Sequence, residues 1–142
     1  MPDAIVDSNV IFAYRSKRDQ YHEHGGAIVR GMDDGTLPRG HVTNYTLPEI
    51  RNPILKRAGY EYAVETLDFL NESRGFRIQH LTQEDFTRGT VLFNRERGVE
   101  ITDSILVAYM ERVGIEYIYS FDDEFDRFDG ITRLTTADNP FD

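Results

Sequence analysis

Apolar runs and amphipathic stretches alternate along the chain. Residues 4–7 form a short apolar run that reads as a strand, and residues 9–15 and about 20–33 carry helical spacing, the second stretch ending near Gly35. After the turn Leu37-Pro38-Arg39-Gly40, His41-Val42-Thr43 reads as a short strand. Residues 46–58 and 60–73 read as two helices parted by Gly59. In the second, Tyr62, Ala63, Leu67 and Leu70 fall on helical spacing, and Gly75 ends it. Residues 76–81 are the next strand candidate. Thr82 is placed to cap a helix running to about Arg97, with Glu84 and Asp85 in its first turn and Gly98 behind it. Thr102 or Asp103 then caps the most apolar helix, 103–113, closed by Gly114. Residues 116–120 and 131–134 read as the last strands, and the tail from Ala137 to Asp142 is expected to fray. Pro53 disturbs the pattern, because its ring removes the hydrogen bond to the carbonyl of Glu49. Either the helix kinks there, or a new one starts with Asn52 as cap and Pro53 as first residue.

This alternation predicts an α/β fold with a mostly parallel sheet. A length of 142 residues suits a single domain over residues 1–142, large enough to bury most of its apolar surface. No repeat, low-complexity tract or linker interrupts it.

Composition narrows the chemistry. The chain has no cysteine, which excludes disulfides and thiolate zinc sites. It lacks a basic-then-apolar leader, and no apolar run approaches the roughly 18 residues that cross a bilayer, so a cytoplasmic location without membrane contact is expected. The formal charge is -9, and lysine occurs only at Lys17 and Lys56, a balance seen in proteins of salt-rich cytoplasm. Such acidity opposes nucleic-acid binding, which normally neutralises phosphates with Lys and Arg. Two effects soften the opposition: a metal would cancel part of the charge, and concentrated salt screens the rest to about 3 Å at 1 M.

Four acids stand in suggestive places. Asp7 and Asp122 follow apolar strand runs, and open α/β sheets bind ligands beyond the carboxyl ends of their strands. Asp103 stands at a helix start, where backbone N–H groups favour its charge. Glu49 lies early in a helix that follows a strand, within a long side chain's reach of the same crevice. Singly, each reads as a turn former, a cap or a solvated residue. Jointly they would repel one another and require protons or a cation. Hard oxygen ligands suit Mg²⁺ or Mn²⁺. Two such ions about 4 Å apart hold an attacking water and the leaving oxygen of an in-line displacement, with no histidine or lysine base needed.

The segments Val6-Asp7-Ser8-Asn9-Val10, Thr102-Asp103-Ser104-Ile105-Leu106-Val107-Ala108 and Tyr119-Ser120-Phe121-Asp122-Asp123-Glu124-Phe125, with Glu49 between them, resemble the motifs of the PIN domain, the metal-dependent nuclease domain of VapC-type toxins. The resemblance covers nearly the whole chain. It implies a three-layer α/β/α fold and an Mg²⁺- or Mn²⁺-dependent endoribonuclease that cuts RNA. Asp7, Glu49, Asp103 and Asp122 take the catalytic and metal-binding roles, with Asp7 and Asp103 central. Asn9 and Ser120 support them by hydrogen bonds, and Glu124 and Asp126 are further candidates near the metal. A small antitoxin would cover the pocket or insert a basic side chain, and a homodimer is expected.

Other residues read less sharply. Arg15, Lys17 and Arg18, and Arg51 and Arg57 beside Glu49, can grip RNA phosphates or simply be surface charge. His22 and His24, two apart on a helix, point in different directions and make no zinc pair. No Gly-rich phosphate loop or nucleophile elbow is present. Aromatics on 60–73 and the preceding helix suggest a greasy groove for a partner. Two rival readings stand beside the toxin: a PIN nuclease of RNA maturation or decay, and a phospho-accepting signalling module. The last needs a lysine near the late strands, whereas both lysines lie in the first half.

Overall fold

The computed structural model describes residues 2–142. Its elements are β1 (Asp3–Val6), α1 (Ser8–Arg15), α2 (His22–Asp34), β2 (Arg39–Thr43), α3 (Thr46–Ala58), α4 (Tyr60–Glu72), β3 (Phe76–Gln79), α5 (Gln83–Arg95), α6 (Ile101–Val113), β4 (Tyr117–Tyr119), a 3₁₀ turn (Asp123–Arg127) and β5 (Thr132–Leu134). The five strands lie in the order β3-β2-β1-β4-β5, and every neighbouring pair is parallel.

Helices cover both faces, so the strands must be apolar on both. Ala4 and Val6 of β1, Val42 of β2 and Tyr119 of β4 face α1–α4, packing with Val10, Ile28, Ile50 and Leu70. Ile5 and Ile118, one residue out of phase, face α5 and α6 and pack with Leu92, Leu106 and Met110. The three-layer α/β/α arrangement follows from this alternation. Helix α6 is the most enclosed: Asp103 to Met110 are all buried.

The start of α6 and the tail depart from the sequence expectations, and α3 keeps its expected bounds and decides between the two alternatives at Pro53. α6 begins at Ile101, with Glu100 at the cap position, so Asp103 is its third residue rather than its cap. α3 runs from Thr46 to Ala58 with Pro53 inside it, so Asn52 caps no new helix. The tail is tied down. The Tyr119 hydroxyl, on a buried ring that needs an acceptor, donates to the Asp138 carbonyl at 2.6 Å. Asn139 Nδ2 donates to the Thr36 carbonyl at 3.0 Å, and the Phe141 ring meets Tyr117 edge-on at 5.2 Å.

The α5–α6 pair sets the position of Asp103. Thr82 and Asp85 form the capping box of α5, and Asp85 also accepts two hydrogen bonds from Arg112 of α6, at 2.7 and 3.0 Å. Gly89 lets the two helices touch: a Cβ there would lie 2.6 Å from Ile105 Cγ1 and 2.7 Å from Ile105 Cα. Backbone cannot yield as a flexible side chain can. Gly89→Ala is therefore expected to lower unfolding free energy by about 2 kcal/mol or more, although alanine favours helix intrinsically. Urea unfolding would check it, and an unchanged midpoint would show that the helices have room to part.

Candidate metal centre

The sheet order creates the site. β1 leads through α1 and α2 to β2 on one side, while β3 leads through α5 and α6 to β4 on the other. The chain thus diverges between β1 and β4, and a crevice opens at their carboxyl ends. Asp7, the first residue past β1, fills the cap position of α1 and accepts from Ser8 N at 2.8 Å. Its own N–H donates to the Tyr119 carbonyl at 3.0 Å, pinning the two strand ends together.

A small polar network then orients its carboxylate. Ser120 Oγ donates to Asp7 Oδ2 at 2.7 Å and accepts from Asp122 N at 3.0 Å. Asn9 Nδ2 donates to Asp7 Oδ2 at 3.2 Å and lies 3.3 Å from Ser120 Oγ, while its Oδ1 accepts from Phe121 N at 3.1 Å. Asp122 caps the 3₁₀ turn by accepting from Glu124 N at 3.0 Å. That turn, anchored by the fully buried Phe125, aims Glu124 inward. Carboxylate oxygens of Asp103, Asp122 and Glu124 all lie within 4.8 Å of one another.

Burial and crowding raise the proton affinity of this cluster. Burial is the larger cause in each case. Asp7 is pushed up to about 6, burial and the charges of Asp122 and Glu100 outweighing its Ser120 and Ser8 hydrogen bonds. Glu49, exposed at the rim with its carboxyl partly withdrawn from water, is pushed to about 7, with Asp7 and Glu100 adding to the effect. Asp103 is pushed to about 9, by burial, then by the hydrogen bond its neutral form makes to the Glu124 side chain and by the charges of Asp7 and Asp122.

The donor set fits a hard divalent cation. Every ligand atom is a carboxylate oxygen, and none of Asp7, Glu49, Asp103, Asp122 and Glu124 forms an ion pair among the described residues. Glu124 Oε2 is buried without a hydrogen-bond partner, an arrangement that costs free energy unless a cation or proton meets it.

The structure draws the expected residues together unevenly. Asp103, Asp122 and Glu124 form the tightest group, while Asp7 and Glu49 approach it from β1 and α3. Asp126 lies outside: it is exposed and holds Arg133 in a two-pronged pair at 3.0 Å to each nitrogen. Glu100 is an addition that the sequence motifs did not single out. Exposed at the α6 cap, its charge acts on both Asp7 and Glu49. The available signal was its place one helical turn before Asp103.

Beside the carboxylates lie two hollows. One, of about 250 Å³, is lined by Ser8, Asn9, Phe12, Glu49, Pro53 and Arg57. The other is a groove of about 780 Å³ between α1, α3 and α4, to which Lys17, Arg18 and Arg57 belong. Arg15 is committed to structure: its Nε donates to Thr66 Oγ1 at 2.8 Å, and its guanidinium lies 3.7 Å over the Tyr62 ring. Arg51 lines neither hollow. His22 Nδ1 lies 2.8 Å from the Ala13 carbonyl, tying α2 to α1. Among the described residues no helix is long and apolar enough to cross a membrane.

Comparison with known proteins places this geometry. The PIN domain family model matches residues 4–131. Among solved structures, the Mycobacterium tuberculosis toxin VapC20, described as cleaving the sarcin–ricin loop, superposes with a TM-score of 0.73 at 21% identity, covering 87% of this chain and 93% of its own. A toxin–antitoxin complex from Klebsiella pneumoniae gives 0.68 at 18% identity, covering 91% and 95%. DNA-bound VapBC from Salmonella typhimurium gives 0.68 at 13% identity, covering 94% and 98%. No curated protein matches the chain by sequence.

Charge crowding has a measurable sign. Unfolded Asp103 ionises near pH 4, but in the fold it holds its proton to about 9. Below pH 4 both states are protonated and nothing is lost; from there to about 9 the metal-free fold loses stability as pH rises. Asp103→Asn mimics the neutral form. In EDTA, its melting temperature relative to wild type should rise from near zero difference at pH 4 to a maximum around pH 9. Asp7→Asn should gain less, because its new amide would face the donors Ser120 and Asn9. A pH-independent loss of melting temperature in Asp103→Asn would show that this acid is structural.

Proposed function

The chain belongs to the PIN domain family, and from that premise we propose that it is a divalent-metal-dependent endoribonuclease, the toxin of a toxin–antitoxin pair. One observation carries the reading: carboxylate oxygens of three residues within 4.8 Å, with a buried Glu124 oxygen left without a partner. Such a group persists in a fold when it holds something positive. The toxins and toxin–antitoxin complexes among the solved structures of this fold support the biological half of the proposal.

Asp103, Asp122 and Glu124 would hold the ion, with Asp7 and Glu49 completing its surroundings directly or through water. A bound Mg²⁺ or Mn²⁺ supplies Lewis-acid polarisation of the phosphodiester and of a water. Ser120 and Asn9 fix the direction of the Asp7 carboxylate, the task that hydrogen-bonded neighbours of metal ligands perform. Burial of Asp7 and Asp103 keeps bulk water out and strengthens every electrostatic contact in the pocket. The protons that Asp103 and Glu49 retain near neutrality must leave as the cation enters, so metal affinity rises with pH. A small antitoxin would satisfy the same negative pocket by covering it or by inserting a lysine or arginine, and the toxin itself would act as a homodimer in the cytoplasm.

Cleavage of a labelled RNA tests the chemistry. Wild-type protein with Mg²⁺ should cut, EDTA should stop it, and Asp7→Asn should slow it by about 100-fold or more, the loss of several kcal/mol of charge stabilisation. Ser120→Ala should cost about 10- to 100-fold. Equal cutting by wild type, EDTA-treated wild type and Asp7→Asn would remove the catalytic claim. Expression in a bacterial host separates a toxin from a nuclease of RNA maturation: the toxin arrests growth, and Asp103→Asn restores it.

A further inference from the structure

The groove between α1, α3 and α4 differs in charge from the rest of the molecule. In a chain of net charge -9, its lining includes Arg15, Lys17, Arg18 and Arg57 and no acidic residue. Lys17, Arg18 and Arg57 are exposed, and none of the three forms an ion pair among the described residues. Phe12 and Tyr62 supply aromatic surface between these charges.

The groove is joined to the carboxylates. Phe12 and Arg57 line both the groove and the smaller hollow that contains Glu49, Ser8 and Asn9. The Arg57 guanidinium lies 5.2 Å over the Phe12 ring, at the boundary between the two. A ligand can therefore run from the groove, past Arg57, to the carboxylate centre.

Resting on the ribonuclease reading above, we propose that this groove is the track for one strand of the RNA substrate, on one side of the scissile bond. Arg57 contacts the phosphate nearest the carboxylate centre, and Lys17 and Arg18 contact phosphates further along. The occupant must carry its negative charges along an extended chain and present an oxygen that a divalent ion accepts. A phosphodiester strand does both, and its bases can lie on Phe12. Arg15 makes no direct contact, because Thr66 and the Tyr62 ring hold it and its Nη2 is buried beside Glu65, so it stiffens the groove wall. The strand is thereby held at a place where the surrounding acidity would otherwise repel it.

The test separates this track from the reading it rests on. Equilibrium binding of a fluorescein-labelled single-stranded oligoribonucleotide is measured in EDTA over a range of NaCl, for wild type, Lys17→Glu/Arg18→Glu and Arg57→Ala. Cleavage with Mg²⁺ is measured in parallel, and Mn²⁺ binding reports the integrity of the centre. The double reversal should weaken binding by about tenfold or more at low salt and make the log–log salt slope shallower by about 1.4, near 0.7 for each of the two lost phosphate contacts. Arg57→Ala should weaken binding and raise KM, and Arg57→Lys should recover part of both. Mn²⁺ affinity should stay within twofold in all of them. Unchanged dissociation constants and salt slopes, with cleavage of RNA intact, would overturn the track and leave the nuclease. Groove-dependent RNA binding by a wild-type protein that cuts nothing would overturn the nuclease and keep the track. Selective capture of an acidic peptide in place of RNA would assign the groove to a protein partner and overturn the proposal.

Discussion

The organising constraint is like-charge confinement. Asp7 is 4% exposed and Asp103 is 7% exposed, yet both face other acids across a crevice withdrawn from water. Each ionised form there suffers the loss of hydration and the repulsion of its neighbours. The fold tolerates this by two devices. Ser8 N, Ser120 Oγ and Asn9 Nδ2 give Asp7 directed donors, and Asp103 keeps its proton. Neither device neutralises the whole group. On the proposed reading the pocket is thus a store of unfavourable electrostatic free energy that a divalent ion would release on binding. Stability lost in the metal-free protein would then reappear as metal affinity.

Much of the scaffold exists to keep that confinement in place. The β3-β2-β1-β4-β5 order puts the crevice between the two strands whose ends carry Asp7 and Ser120. α6 cannot back away, because Gly89 brings α5 against Ile105 and Arg112 grips Asp85. Nor can the 3₁₀ turn swing out, since Phe125 is fully buried beneath it and Asp126 is held by Arg133. A centre of mutually repelling groups needs such over-determination; a looser frame would relax by parting them.

What the sequence disclosed follows from which forces are local. Strand runs ending in Asp7 and Ser120-Phe121-Asp122 are local, and so is the Thr82 cap with Asp85 in the first turn behind it, so these were readable directly. The start of α6 was not. Glu100 makes no side-chain cap bond, and burial on all sides from Asp103 to Met110 erases the amphipathic period that marks a helix boundary. The choice between Glu124 and Asp126 turned on a helix type: in an α-helix Asp122 and Asp126 share a face, whereas three residues per turn rotate Asp126 away, toward Arg133. Glu100 reaches the centre only through the tertiary approach of α6 to β1 and α3. The tail looked loose because its partners, Thr36 and Tyr119, are far away in sequence. The parallel α/β architecture and the acids at strand ends were legible; the strand order and the grading among acids required the packing.

Net charge is a poor guide to what such a molecule binds. An overall charge of -9 argues against a polyanion, but interaction energies at contact depend on nearby groups, and screening at physiological salt falls off over about 8 Å. Here charge is segregated locally: the acids of the crevice adjoin a groove whose Lys17, Arg18 and Arg57 form no ion pair among the described residues. On the proposed reading this segregation couples the two ligands. Without metal, a strand in the groove meets repulsion as it crosses Arg57 toward the carboxylates. With metal bound, the same crossing becomes attractive, so RNA and cation each raise the other's affinity, as linkage requires. The acidity that argues against RNA chemistry then serves as the lock that keeps the strand out of the crevice until the cation is in place.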